Sequence, residues 1–127
     1  MTVLTNHLRA GSFIQSESNG RYSRDQVTIY GGFTGAVPLL AGTVLGKLTS
    51  GGKYVISPHS GADGSQTGVA ILFDDCDPSD GDVLATVVTG GCEVDGNALI
   101  YDSTVTAGAY TVTKNTELLA AGIKVRS

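Results

Sequence analysis

Three glycine pairs, Gly31-Gly32, Gly51-Gly52 and Gly90-Gly91, each follow a short run of β-favouring side chains, and this punctuation restricts the possible folds more than any other feature of the chain. Glycine loses the most freedom on folding and weakens helix interiors, yet it reaches the backbone angles that tight turns and bulges demand. Eighteen glycines against three prolines in 127 residues would break a helical bundle at many points, whereas a compact β-rich domain places them at its turns. That length suits one modest hydrophobic core but not two, and so a single folded unit. Hydrophobic residues at 41% and charged residues at 16% favour burial over disorder for most of it.

Strands are expected at Gln26 to Tyr30, Thr43 to Thr49 and Lys53 to Ser57, with Ser50-Gly51-Gly52 as a hairpin turn between the last two. The alternation is cleanest at Val27 and Ile29. Gly68 to Phe73 carries five apolar residues in succession and therefore reads as a strand buried on both faces, the centre of the core. Val83 to Thr89, Cys92 to Val94 and Ala98 to Tyr101 continue the strand pattern, the last two around the turn Asp95-Gly96-Asn97. One helix is expected at Lys114 to Ala121, with Thr113 as N-cap and Gly122 at the left-handed C-terminal position, followed by a strand at Ile123 to Val125. The fold class is mainly β with one short C-terminal helix, a small barrel-like or sandwich-like domain over residues 25–127.

Residues 1–24 lack a sustained period, and the stretch from Gln15 to Gly20 is entirely polar or small, so this segment reads as a flexible N-terminal arm. Leu4, Leu8, Phe13 and Ile14 stand out within it. A tail that only solubilises has little use for them, whereas a segment that folds on a partner needs such anchors.

Several chemistries are disfavoured. A net charge of −4, with eight basic residues scattered singly, lacks the footprint of a nucleic-acid binder. No apolar run spans a bilayer, and no basic start followed by an apolar stretch marks a signal peptide, so the chain reads as soluble and unexported. Cys76 and Cys92 in such a chain are expected to be reduced. Ser57, His59 and Asp63 could compose a hydrolytic trio, but they crowd one loop and no nucleophile elbow is present. Asp74, Asp75, Asp77, Asp80 and Asp82 depart from calcium-loop spacing and read as a solvated turn. Gly46-Lys47 fails as a phosphate loop, since Ala41 and Leu48 stand where a glycine and a hydroxyl residue belong. No zinc-ligand spacing occurs. No catalytic, cofactor or metal residues are assigned, and the expected protein is not an enzyme.

Several ordered segments resemble the lambda-type bacteriophage head decoration family. They are Asp25-Gln26-Val27-Thr28-Ile29 with Gly31-Gly32; Leu39-Leu40-Ala41-Gly42-Thr43-Val44-Leu45-Gly46-Lys47; Asp63-Gly64-Ser65-Gln66 leading into Val69-Ala70-Ile71-Leu72; Gly81-Asp82; Gly91-Cys92-Glu93-Val94; and Gly122-Ile123-Lys124-Val125-Arg126. The resemblance implies a homotrimeric cement made in the host cytoplasm that binds the major capsid protein on the outer surface of the mature head. It also implies an N-terminal arm that orders on the shell, while charge and hydropathy give the expectation of no direct nucleic-acid or membrane partner. Cys92 stands where relatives are expected to carry a small residue such as Ala, and Thr89 where a basic residue is common. Another virion component, such as a tail tube or baseplate module, shares the glycine-punctuated β composition and is the rival reading.

Overall fold

The computed structural model describes residues 13–17, 24–31, 39–78, 81–106 and 108–126. Among the described residues, eight strands and one α-helix are arranged as a closed five-stranded barrel and a separate three-stranded sheet. The barrel uses β2 (Arg24–Ile29), β3 (Val44–Lys47), β4 (Tyr54–Ile56), β5 (Gly68–Leu72) and β6 (Val83–Val88), in the order β2-β4-β3-β5-β6. The sheet consists of β1 (Ile14–Glu17), β7 (Cys92–Asp95) and β8 (Ile123–Arg126), with β7 central, antiparallel to β1 and parallel to β8.

Successive strand side chains point to opposite faces, and this alternation divides the apolar residues into two cores where chain length alone suggests one. Ile29, Leu45, Ala70, Leu72, Ala85 and Val87 fill the barrel, with Val27, Tyr54 and Val83 packed against them. The neighbouring positions Val44, Ile71 and Val88 face outward, but into a second core shared with Phe13, Cys92, Val94, Leu99, Leu118 and Ile123. β5 is therefore buried on both faces, as its unbroken apolar run requires. Val69 is the extra residue of a β-bulge, since Leu45 pairs with Ala70 while the adjacent Gly46 pairs with Gly68. The bulge lets Val69 pack against the barrel core.

Two glycine sites show why the punctuation matters. Gly51 and Gly52 have φ of +86° and +70°, and the Leu48 N–H donates to the Lys53 carbonyl at 2.8 Å to close the β3–β4 hairpin. Gly46 lies against the Ser65 main chain so closely that a Cβ there would overlap the Ser65 carbonyl.

The barrel closes where β2 meets β4 in a short parallel contact, Ile29 opposite Tyr54, with the Tyr30 N–H donating to the Tyr54 carbonyl at 2.9 Å. So brief a seam is reinforced from the side. Asp82, just ahead of β6, accepts the Gly31 N–H at 2.8 Å and pairs with Lys53 at 2.5 Å, joining the end of β2 to the start of β4. The Asp82 carboxyl is held below the usual carboxylate range, first by the Gly31 N–H and then by Lys53. Lys53 is raised in turn, chiefly by its hydrogen bond to Asp82.

The helix α1 (Gly108–Ala120) is longer than expected, extending to Gly108 through Tyr110, Thr111, Val112 and Thr113. Those residues have weak helix propensity, and tertiary contacts override it. The Tyr101 hydroxyl donates to Asn115 Oδ1 at 2.6 Å, and the His59 ring stacks on Tyr110 with centroids 3.4 Å apart. Thr113 is consequently not the N-cap; its hydroxyl donates back to the Ala109 carbonyl at 3.0 Å. The C-terminus matches expectation, with Gly122 at φ +96° before β8. Ala98 to Tyr101 form no strand. Asp95 Oδ1 accepts the Asn97 N–H at 3.0 Å and favours a 3-10 turn over Gly96–Ala98, leaving a single parallel bridge between Thr43 and Ile100.

α1 packs against β8 and β5, and Lys114 fixes it there. This lysine is fully buried, and its ammonium donates to Ser57 Oγ at 2.9 Å, to the Gln66 carbonyl and to Glu117 Oε1 at 3.3 Å. Three donors meet three acceptors. Glu117 Oε1 also accepts the Gly68 N–H at 2.9 Å, so the pair ties one turn of the helix to the start of β5.

Removing one partner from a buried charge network leaves the others unsatisfied, so Lys114→Ala should cost about 3 to 5 kcal/mol in urea unfolding. Glu117→Gln, which keeps an acceptor for Gly68, should cost about 1 kcal/mol; a Lys114→Ala loss no larger than that of Glu117→Gln would contradict this account. The seam has a pH signature. A depressed carboxyl contributes stability above its unfolded pKa and loses it as pH falls through the folded value. A raised ammonium contributes below its unfolded pKa and loses it as pH rises through the folded value. The Asp82–Lys53 pair therefore weakens below about pH 4 and above about pH 10. Asp82→Asn should flatten both limbs of the unfolding midpoint against pH, and two unchanged limbs would show that the pair carries none of the dependence.

Candidate functional site

The side chains that could carry chemistry are each engaged elsewhere. Ser57 is buried, and its hydroxyl donates to the Ser65 carbonyl at 2.7 Å while accepting from Lys114. The His59 ring lies on Tyr110, and its N–H on the main chain donates to Thr104 Oγ1 at 2.8 Å. Asp63 accepts the Ser65 N–H at 3.1 Å and the Ser65 hydroxyl at 2.5 Å, and that hydroxyl bond is the main reason its carboxyl is held low. The loop thus turns three reactive residue types into turn-forming and packing contacts rather than a nucleophile, base and orienting acid.

The acidic stretch after β5 proves more structural than a solvated turn. Asp74 Oδ1 accepts the Asp75 N–H at 2.8 Å, and Asp75 Oδ1 reaches the Ala41 N–H at 2.7 Å, beside the bridge between Leu39 and Cys76. Asp82 holds the barrel seam, and Asp80 lies outside the described residues. Among the described residues no group of three or more His, Cys, Asp or Glu side chains is placed to hold a metal ion. Gly46 and Lys47 sit inside strand β3 rather than in a loop leading to a helix, so they form no phosphate cradle.

Cys76 and Cys92 are not joined in a disulfide. Cys92 belongs to the second core and Cys76 packs against the barrel core, so the two thiols serve different interiors. Burial, together with Asp77, Asp75 and Asp74, pushes the Cys76 thiol up to about 11, which keeps it protonated and unreactive near neutrality.

The N-terminal anchors divide. Leu4 and Leu8 lie outside the described residues. Phe13 is fully buried in the second core, Ile14 packs against that core, and the Phe13 carbonyl accepts the Asp95 N–H at 2.8 Å. The subunit therefore uses Phe13 and Ile14 for itself, within the stretch that sequence reading assigns to the arm. Apolarity among polar neighbours marks an anchor without saying whose interior it enters. β1 has four residues and a bulge between Ile14 and Ser16, too short and irregular to show a period. What remains ahead of Phe13 is a twelve-residue segment carrying Val3, Leu4 and Leu8. β1 itself begins at the end of the sheet where Asp95 and Arg126 also lie.

Among the described residues no helix is long and apolar enough to cross a membrane. No curated protein matches the chain. The model of the family described as bacteriophage lambda head decoration protein D matches residues 3–123, which takes in β1, the barrel, the second core and α1. Against that family's expected pattern, Cys92 is an interior residue of the second core, and Thr89 donates its hydroxyl to Asp25 at 3.0 Å. With a single family pattern running from ahead of β1 into β8, the chain belongs to the bacteriophage lambda head decoration protein D family.

Proposed function

We propose that this protein is a structural cement of a phage head. It binds the major capsid protein on the outer surface of the mature shell as a homotrimer and holds the shell against the pressure of packaged DNA. The observation that carries the reading is the family match over residues 3–123. The engagement of Ser57, His59 and Asp63 in packing agrees with a role that involves no bond chemistry.

The chain ahead of Phe13 supplies the means of attachment. Twelve residues fully extended reach at most about 40 Å, enough to lie along a strand edge of a neighbouring protein. An extended segment donates main-chain hydrogen bonds to such an edge, and Leu4 and Leu8 would occupy pockets beside it. Three such segments on one trimer make the second and third attachments intramolecular, so individually weak contacts add up to durable binding. Adhesion to capsid protein requires no basic surface, and the net charge of −4 offers none for DNA. The virion is accordingly the proposed location, after synthesis in the host cytoplasm.

Binding of the purified protein to expanded and unexpanded shells of its own phage tests this. The full chain should decorate expanded shells. A form lacking residues 1–12 should keep its unfolding midpoint but bind at least about a hundredfold more weakly. A form lacking residues 1–24 should lose stability as well, because it lacks β1 and Phe13. Equal binding by the full chain and the form lacking residues 1–12 would rule out the N-terminal attachment, and failure of the full chain to bind any shell would rule out the cement function.

A further inference from the structure

The pair Asp63-Gly64 carries a chemistry of its own. The main-chain nitrogen of the residue after an aspartate can attack the aspartate Cγ, and glycine, with no side chain to hinder the approach, allows this most readily. The N–Cγ bond forms, the nitrogen gives up its proton, the C–OH bond breaks and water leaves, closing a five-membered succinimide. Water then adds at the main-chain carbonyl of that ring. The product is an isoaspartyl link, isomeric with the original and longer by one methylene along the main chain. No reagent but water takes part.

The fold requires this pair where it stands. Gly64 has φ of +95°, and a Cβ there would overlap Thr49 Oγ1 and lie 2.9 Å from the Lys47 carbonyl oxygen, so only glycine fits. Asp63 holds the turn from its other side, its Oδ1 taking both the N–H and the hydroxyl of Ser65 at 3.1 and 2.5 Å. Asp63 is exposed, so water reaches it. The residues that follow face inward: the Ser65 carbonyl accepts the Ser57 hydroxyl at 2.7 Å, and the Gln66 carbonyl accepts the Lys114 ammonium. A methylene inserted at Asp63 would displace both carbonyls and loosen the network that docks α1.

The same turn disarms the reaction. The Gly64 N–H donates to Gln66 Oε1 at 2.9 Å, so the nitrogen forfeits that bond when it gives up its proton, and it then faces the partial negative charge of the same oxygen. The two donors of Ser65 favour the ionised form of the Asp63 carboxyl and hold it low. A carboxylate is a poor target for a nucleophile, because an oxide ion would have to leave in place of water. Nucleophile and electrophile are thus both restrained by residues within the turn. We propose that Gln66 guards the Asp63-Gly64 link against isoaspartate formation through its side-chain oxygen. On the cement reading this bears on lifetime, since a subunit on a finished shell is not replaced, but the chemistry is that of the isolated subunit and holds without a shell.

Peptide mapping that separates aspartyl from isoaspartyl chains tests this on purified protein held warm at neutral pH for weeks. Gln66→Leu should accumulate isoaspartate at position 63 about tenfold faster than the wild type, the rate change to which one ordinary hydrogen bond corresponds. Its unfolding midpoint should fall as the altered link builds up. Gln66→Glu keeps an acceptor oxygen and should age as the wild type does. The Asp95-Gly96 pair of the same molecules serves as the internal reference and should age at one rate in all three proteins. Equal ageing at position 63 in Gln66→Leu and the wild type, or Gln66→Glu ageing as fast as Gln66→Leu, would overturn the role. A parallel rise at Asp95-Gly96 would also overturn it, by assigning the effect to general loosening. If Gln66→Leu does not fold, the wild type alone decides: in urea the turn is melted and position 63 should isomerise faster than in the native protein, whereas equal rates would show that the turn protects nothing.

Discussion

A buried ammonium holds this molecule together. Lys114 is taken out of water in the middle of α1, and the cost is offset only because Ser57, Gln66 and Glu117 converge on its three donors. Those acceptors come from the β4–β5 connection and from the helix itself, so the charge can be satisfied only when helix and barrel are docked. Leu118, one residue beyond Glu117, then enters the second core beside Phe13, Val94 and Ile123. The three-stranded sheet is in this way pinned to the outer face of the barrel.

The barrel is largely legible in the sequence because its strands obey a two-residue period. Val27 and Ile29 point inward as their alternation implies, and the double burial of β5 follows from its unbroken apolar run. The turn at Gly51-Gly52 and the helix stop at Gly122 are legible for a different reason, since their positive φ angles strongly favour glycine. The second core is harder to see. Its members come from Phe13, β7, Leu99, α1 and β8 as well as from the outward positions Val44, Ile71 and Val88 of the barrel strands, and they meet only through contacts distant in sequence. Lys114 illustrates the limit: in sequence it is an ordinary helix-surface residue, and nothing nearby announces the acceptors that bury it.

Exposed and buried apolar residues divide along the same line. Leu84 is readable in principle, because Ala85 and Val87 face inward and the intervening positions must then face out. Apolarity nominates Phe13 and Ile14 for a partner's surface, whereas the structure places Phe13 in the subunit's own interior. A decoration protein leaves few chemical traces, since adhesion relies on edges, apolar patches and chain reach rather than on convergent acids and bases. The acidic turn makes the same point in reverse, as carboxylates that could suggest a metal instead hold Ala41, Gly31 and Lys53 in place.

The central claim is a division of labour at Phe13: the chain from there onward builds the subunit, and the residues ahead of it are reserved for the shell. Amide hydrogen exchange on the free protein and on decorated shells measures this residue by residue. The account predicts that β1 is protected in both states, while residues 1–12 gain protection only on the shell. Rapid exchange throughout β1 in the free protein, with protection appearing there only on the shell, would contradict it.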